Sequence, residues 1–197
     1  MSDPVSDPVS DRASGPASDP LSGSASDADA LTLADPLWPE RREELMTPAE
    51  IGAISGLDFI RGIAEGRLPS PPILRHMGAR FTAVAHGRVE ITATPSFAVY
   101  NPIGSVHGGW YGTLLDSALS CAVQTALPQG RGYTTLEYKV NILRAASERT
   151  GALRVIGRID HVGRSTGIAH GWVEDDGGKR YATGSATCLV IDLPTAS

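Results

Sequence analysis

The sequence predicts an α+β domain of about six strands and one long buried helix, behind a shorter N-terminal helix. Three observations predict it. Short segments with alternating apolar and polar residues occur twice before residue 95 and four times after residue 134. Between these groups, residues 107–127 read HGGWYGTLLDSALSCAVQTAL. There Leu114, Leu115, Ala118, Leu119, Ala122, Val123 and Ala126 cover most of a helix circumference, so burial nearly all round is expected. The last segment puts Ala182, Gly184, Ala186, Cys188 and Val190 on one face, a row of small residues suited to a helix lying close against a sheet.

The elements follow in order. Residues 2–29 run as seven tetrapeptides, with Ser2, Ser6, Ser10, Ser14, Ser18, Ser22 and Ser26 in phase. With three large aliphatics and no aromatic before residue 31, segment 1–30 cannot bury enough surface to offset its ordering entropy. A disordered Ser/Asp/Pro-rich tail is expected there. It also lacks the basic start and apolar run of a secretory signal. Residues 31–72 are expected to form a linker, where Leu37 and Trp38 are candidates to pack on the domain, and then an amphipathic helix. Thr47-Pro48-Ala49-Glu50 reads as a capping box with proline in the first turn. Ile51, Ile54, Leu57, Ile60 and Ala64 recur at helical spacing, so one helix is expected over 48–65, ended by Gly66 and the PSPP at 69–72. The domain proper is expected over 73–193. Arg80–Ala85 and Arg88–Thr94 flank His86-Gly87 as a hairpin. Leu136, Tyr138, Val140 and Ile142 alternate with Thr135, Glu137, Lys139 and Asn141 in the strand after the buried helix. Further strands are expected from Leu153, over Ile168–Glu174 and over Tyr181–Ile191, the last two joined by Asp175-Asp176-Gly177-Gly178.

Composition narrows the function. The 197 residues carry 22 acidic and 17 basic groups, a net charge of −5. The first 46 residues hold ten acids and three bases, and the remaining 151 hold twelve and fourteen. A near-neutral domain without a basic run offers nucleic acid no footprint. No apolar stretch approaches the ~18–20 residues of a membrane span. Cys121 and Cys188 sit in apolar segments 67 positions apart, which suggests neither a metal site nor a disulfide framework, so a reducing cytoplasm is expected. His76, His86, His161 and His170 lack metal-ligand spacing, and no metal is expected.

The buried helix carries one ionisable residue in its middle, Asp116, with Ser120 and Gln124 one and two turns on and Gly112 and Thr113 one turn back. A carboxylate there is costly unless something satisfies it. Taken alone, Asp116 fits equally well a structural acceptor bonded to backbone or to a buried serine. The same helix, however, opens with His107-Gly108-Gly109. Two glycines let another molecule approach the backbone, and the free N–H groups there suit a developing negative oxygen. Alone, these glycines read as a tight strand-to-helix turn. Together with the carboxylate they point to acyl transfer to water.

The stretch Asn101-Pro-Ile-Gly-Ser-Val-His-Gly-Gly109, followed by Asp116, resembles the phenylacetate-degradation (PaaI-like) group of hotdog-fold acyl-CoA thioesterases. The strand TTLEYKVNILRAA and the segment VGRS add to the likeness, which runs from about Ile73 to Leu193. The resemblance implies a curved antiparallel sheet wrapped round a long central helix. It implies that Asp116 is the catalytic carboxylate, nucleophile on the thioester carbon or base toward water. The Gly108 N–H would polarise the thioester carbonyl, with Gly109 beside the substrate. Ser120 would help place the water, Asn101 would hold substrate or water, and His107 would orient the loop. Arg164 and Ser165, and secondly Arg144, would contact coenzyme A, although each arginine fits a solvated surface charge equally well. Coenzyme A is part of the substrate, and no separate cofactor is implied. Several relatives carry Glu at the carboxylate position, and the tail is not part of the family pattern.

Helix geometry adds a constraint. Gly108 and Asp116 are eight residues apart, ~12 Å along a helix axis, too far to act on one thioester from one subunit. If both act, the site lies at the interface of a homodimer with antiparallel central helices; a dimer of dimers is also compatible. The competing readings are a hotdog module that binds acyl-CoA without cleaving it, and a hydratase acting on enoyl thioesters. Asp116, Ser120 and the His-Gly-Gly turn argue against the first. The absence of an Asp/His pair a few residues apart in one loop argues against the second. Trp110, Tyr111 and Tyr133 are open between lining an aromatic pocket and packing.

Overall fold

The computed structural model describes residues 31–194; the tail expected over 1–30 lies outside them. Helices α1 (Pro48–Gly52), α2 (Gly56–Ala64) and α3 (Pro72–His76) precede the hairpin β1 (Ala79–Ala85) and β2 (Arg88–Ala93). The long helix α4 (Gly108–Gln124) follows, and then β3 (Arg131–Ile142), β4 (Leu153–Val162), β5 (Thr166–Glu174) and β6 (Arg180–Asp192). All strand pairs are antiparallel, in the order β1-β2-β4-β5-β6-β3. The sheet curls round α4, so that its two edge strands, β1 and β3, come to opposite sides of the helix.

The single helix expected over 48–65 is two helices. Thr47 and Glu50 form the expected capping box, with the Thr47 N–H donating to Glu50 Oε2 at 2.7 Å. The chain then bends at residues 53–55, where the Ser55 hydroxyl accepts from the Asp58 N–H and starts α2. Both glycines at the bend are seated against backbone: a Cβ on Gly52 would lie 2.3 Å from the Pro194 carbonyl oxygen, and one on Gly56 would lie 1.8 Å from that of Gln124. A straight helix could not bring both into place. Of the expected stop signals, Gly66, at φ +67, ends α2, whereas the PSPP segment follows four turn residues later and starts α3, with Pro72 in the first turn. Trp38 packs on the core as expected. Leu37 is half exposed and pairs through its backbone instead, its carbonyl accepting from the Ser70 N–H at 2.8 Å.

The row of small residues on β6 does face α4. Ala182, Ala186, Cys188 and Val190 are buried there. The nearest approach is on β4, where a Cβ on Gly157 would stand 2.2 Å from the Ala118 carbonyl oxygen. Here helix backbone lies directly on strand backbone. The helix is less enclosed than its composition suggests, because Thr113, Asp116 and Ser117 remain partly open along one face.

Strand β3 departs most from simple alternation. A bulge between Thr135 and Glu137 reverses the parity of the strand. Tyr133 and Thr135 on one side of it, and Tyr138, Val140 and Ile142 on the other, all pair with the helix-facing row of β6. Thr135 therefore shares the inner face instead of the wet one. Tyr138 and Ile142 lie along α4 near Gly112 and Gly108, yet remain about half exposed.

Replacing Gly157 by alanine forces a methyl into the Ala118 carbonyl. We expect a loss of at least the ~1–3 kcal/mol typical of overpacking a core, read as a lowered urea midpoint with an unchanged slope.

Candidate active site

Asp116 lies at the middle of α4, on the face that stays partly open. Its Oδ1 accepts from the Thr135 hydroxyl at 2.9 Å, a bond that the β3 bulge makes possible. The carboxylate borders a cavity of about 440 Å³ whose floor is α4, with Ser117, Ser120 and Cys121. One bank comes from β3, with Tyr133 and Thr135; the other is Phe81 of β1 with Pro71. The cavity thus occupies the gap between the two sheet edges. A larger cleft of about 480 Å³, between the N-terminal segment and α3, touches no residue of α4.

Ser120 does not reach the carboxylate. Its hydroxyl donates to the Asp116 carbonyl one turn back at 2.7 Å, and it lies 3.0 Å from the Tyr133 hydroxyl. Burial holds the Tyr133 phenol well above its ordinary range, so it stays protonated. Burial also pushes the Cys121 thiol up to about 12 and Cys188 to about 11. Neither is a thiolate at neutral pH.

The start of α4 is built differently. His107 is the N-cap, and its Nδ1 accepts from the Gly109 N–H at 2.8 Å. A Cβ on Gly109 would stand 3.0 Å from the same Nδ1, so the second glycine makes room for the cap. Gly108 is the first helical residue, and among the described residues its N–H has no partner. A second cavity of about 340 Å³ lies here, lined by His107, Gly109, Trp110, Tyr100 and Met77.

Asn101 fixes the loop before the helix. Its Oδ1 accepts from the N–H groups of Ile103 and Ser105, and its Nδ2 donates to the Ser105 hydroxyl. The structure thus brings Asn101, His107, Gly108 and Gly109 together at one end of α4. Asp116 and Ser120 stand two turns further on, and the two groups border different cavities. Trp110 and Tyr111 are core residues in an edge-to-face pair, with ring centroids 5.3 Å apart; Trp110 also borders the cavity at the start of α4, and Tyr133 lines the Asp116 cavity.

The candidate coenzyme contacts are separated as well. Arg164 and Ser165 sit in the exposed β4–β5 turn, where the Arg164 carbonyl accepts from Arg131 at the start of β3. Arg144 follows the other end of β3, and its guanidinium donates to the Arg180 carbonyl at 2.8 Å. The two ends of β3 are roughly 35 Å apart, at ~3.3 Å per residue. Among the described residues, no cluster of His, Cys, Asp or Glu is arranged to hold a metal ion, and no helix is long and apolar enough to cross a membrane.

Comparison with known proteins places this arrangement. The sequence profile of the thioesterase superfamily matches residues 103–182. A phenylacetic acid degradation-related protein from Ralstonia eutropha is 31% identical, with a TM-score of 0.61 over 66% of this chain and 98% of that one. A thioesterase family protein from Silicibacter pomeroyi is 26% identical, with a TM-score of 0.57 over 62% and 90%. The PaaI protein of the Escherichia coli phenylacetic acid degradation operon, at 20% identity, shares the fold with a TM-score of 0.58 over 64% and 89%. No curated protein sequence matches. The fold is that of a hotdog thioester hydrolase. The chain belongs to the thioesterase superfamily, in its PaaI-like group.

Thr135 was missed in the sequence because alternation put it on the wet face. The usable signal was the run Thr134-Thr135 before Leu136, where a bulge lets the hydroxyl turn inward. Thr135→Val should lower kcat roughly ten- to hundredfold, the scale of a hydrogen bond to a charged group, while Thr135→Ser keeps most of the activity. Steady-state hydrolysis by both variants, with melting curves as the control, checks this.

Proposed function

We propose that the protein hydrolyses an acyl-CoA thioester to the free acid and coenzyme A, at a site shared between two subunits. The observation that carries this reading is a carboxylate held by Thr135 at the edge of a cavity, on the same helix whose first N–H is unoccupied. Asp116 acts as nucleophile on the thioester carbon or as base toward water. The Gly108 N–H, with the helix dipole behind it, stabilises the oxygen that becomes negative.

The ~12 Å between these groups calls for two chains. The exposed row on β3 supports a second copy as the partner: Tyr138 and Ile142 lie beside α4 and are 49% and 51% exposed, with Leu143 at 51% next to them. A twofold axis through the middle of β3 would cover this row and join two sheet edges. It would also bring Arg164 of one subunit and Arg144 of the other to the same end of the paired strands, where coenzyme phosphates need cations. In this arrangement Asn101 and His107 hold the loop and helix start in place, with Gly109 beside the thioester. Ser120 supports the helix carbonyl behind the carboxylate.

Asp116→Asn should fold and remain dimeric while losing activity by roughly 10²–10⁴, as for loss of a general base. Near-wild-type hydrolysis of acyl-CoAs by this variant would remove Asp116 from the mechanism.

Gly108→Pro removes the donor N–H at the helix position where proline is best tolerated. The new Cβ meets the tip of the flexible Ile142 side chain, at 3.0 Å. After subunit exchange between equal amounts of the two inactive variants, half the dimers are mixed, and each has one intact site. Activity should therefore return to roughly a quarter of the wild-type level per subunit. Demonstrated exchange with no recovery would sink the shared site.

A further inference from the structure

We propose that Pro71 and Phe81 form the wall that sets how large an acyl group the enzyme accepts. The inference rests on the acyl-CoA reading above and assigns the cavity beside Asp116 to the acyl portion of the substrate. No arginine, lysine or histidine lines that cavity, and a carboxylate stands at its edge. Coenzyme phosphates are therefore excluded from it, and the candidate cations lie elsewhere, on the β4–β5 turn and beyond the end of β3. What enters past Asp116 is the other side of the thioester. The bank opposite Tyr133 and Thr135 consists of Phe81 and Pro71, two apolar groups without a donor to offer.

The wall is held from behind. Ser70, next to Pro71, is buried, and its N–H donates to the Leu37 carbonyl, while Leu37 bridges Pro69 in parallel. Pro71 itself sits at φ −58 and ψ 124, the extended region that the following Pro72 imposes. Its carbonyl accepts from the Leu74 N–H and so fixes it to the start of α3. Phe81 is 4% exposed and pairs with Ile91, so its ring is anchored in the core. Of the two, Pro71 is the wall residue that can be changed without opening the core. It is part of segment 31–72, ahead of the residues that the superfamily profile matches.

Pro71→Ala keeps the backbone conformation, because Pro72 remains, and takes volume off the wall. Pro71→Phe adds volume to it. The experiment is a series of straight-chain and aryl acyl-CoAs of increasing size, with thiol release followed for the wild type and both variants, and melting temperature and oligomeric state as controls. Pro71→Ala should raise kcat/KM for the largest accepted acyl groups relative to acetyl-CoA by about threefold or more. Pro71→Phe should lower the same ratio by about tenfold or more, the scale of one methylene gained or lost in a hydrophobic pocket. Selectivity profiles that match the wild type in both folded variants would overturn the wall while leaving the acyl-CoA reading intact. A wild type that hydrolyses no member of the series overturns both.

Discussion

A carboxylate and a helix N-terminus on one rigid α4, eight residues apart, are held ~12 Å from each other, and the rest of the chain is disposed around that spacing. The helix must be straight and fixed, so the sheet wraps it at backbone distance, with Gly157 beneath Ala118 and the small residues of β6 beside it. At its first turn the cap is supplied by the side chain of His107, and Gly109 makes room for that ring. Beside its middle, β1 and β3 line opposite banks of one cavity. Each arrangement removes side-chain volume or covering from α4, and the helix keeps its stability through the face that is buried.

The elements flanking the gap do different physical work. Strand β3 brings Thr135 to the carboxylate through a bulge and leaves Tyr138 and Ile142 uncovered further along. That uncovered row is the face on which the proposed second copy would sit. The N-terminal helices lie on the other side. There α2 and α3 pack on β1, and the Leu37–Pro69 bridge draws the preceding segment across them. Residues that look like a leader to the domain thereby contribute a wall to its cavity.

Much of this was legible in the sequence where local physics decides the outcome. Periodicity located the hairpin, the central helix and the later strands, the capping box located the start of α1, and the small-residue row on β6 announced the helix above it. The motif around His107, Gly108 and Asp116 was legible because its residue types are unusual for a buried helix. What escaped depends on contacts between distant segments. The bend between α1 and α2 is set by Gly52 and Gly56 meeting the carbonyls of Pro194 and Gln124, neither of which is near in sequence. The place of Thr135 depends on a bulge, which shifts parity without changing composition. Ser120, read from helical spacing as a neighbour of the carboxylate, shares its face but bonds to backbone, as serine one turn along a helix commonly does.

The gap between the sheet edges also separates what can vary from what cannot. Its floor is α4, and any change of volume there moves the carboxylate or its support. Its banks belong to other elements, one to β1 and the segment before α3, the other to the bulged part of β3. Replacement on the PSPP bank leaves the helix and its hydrogen bonds untouched. Under the proposed acyl-CoA reading, duplicated copies of such a gene could diverge in the acids they release through Pro71 and its neighbours, while α4 stays as it is.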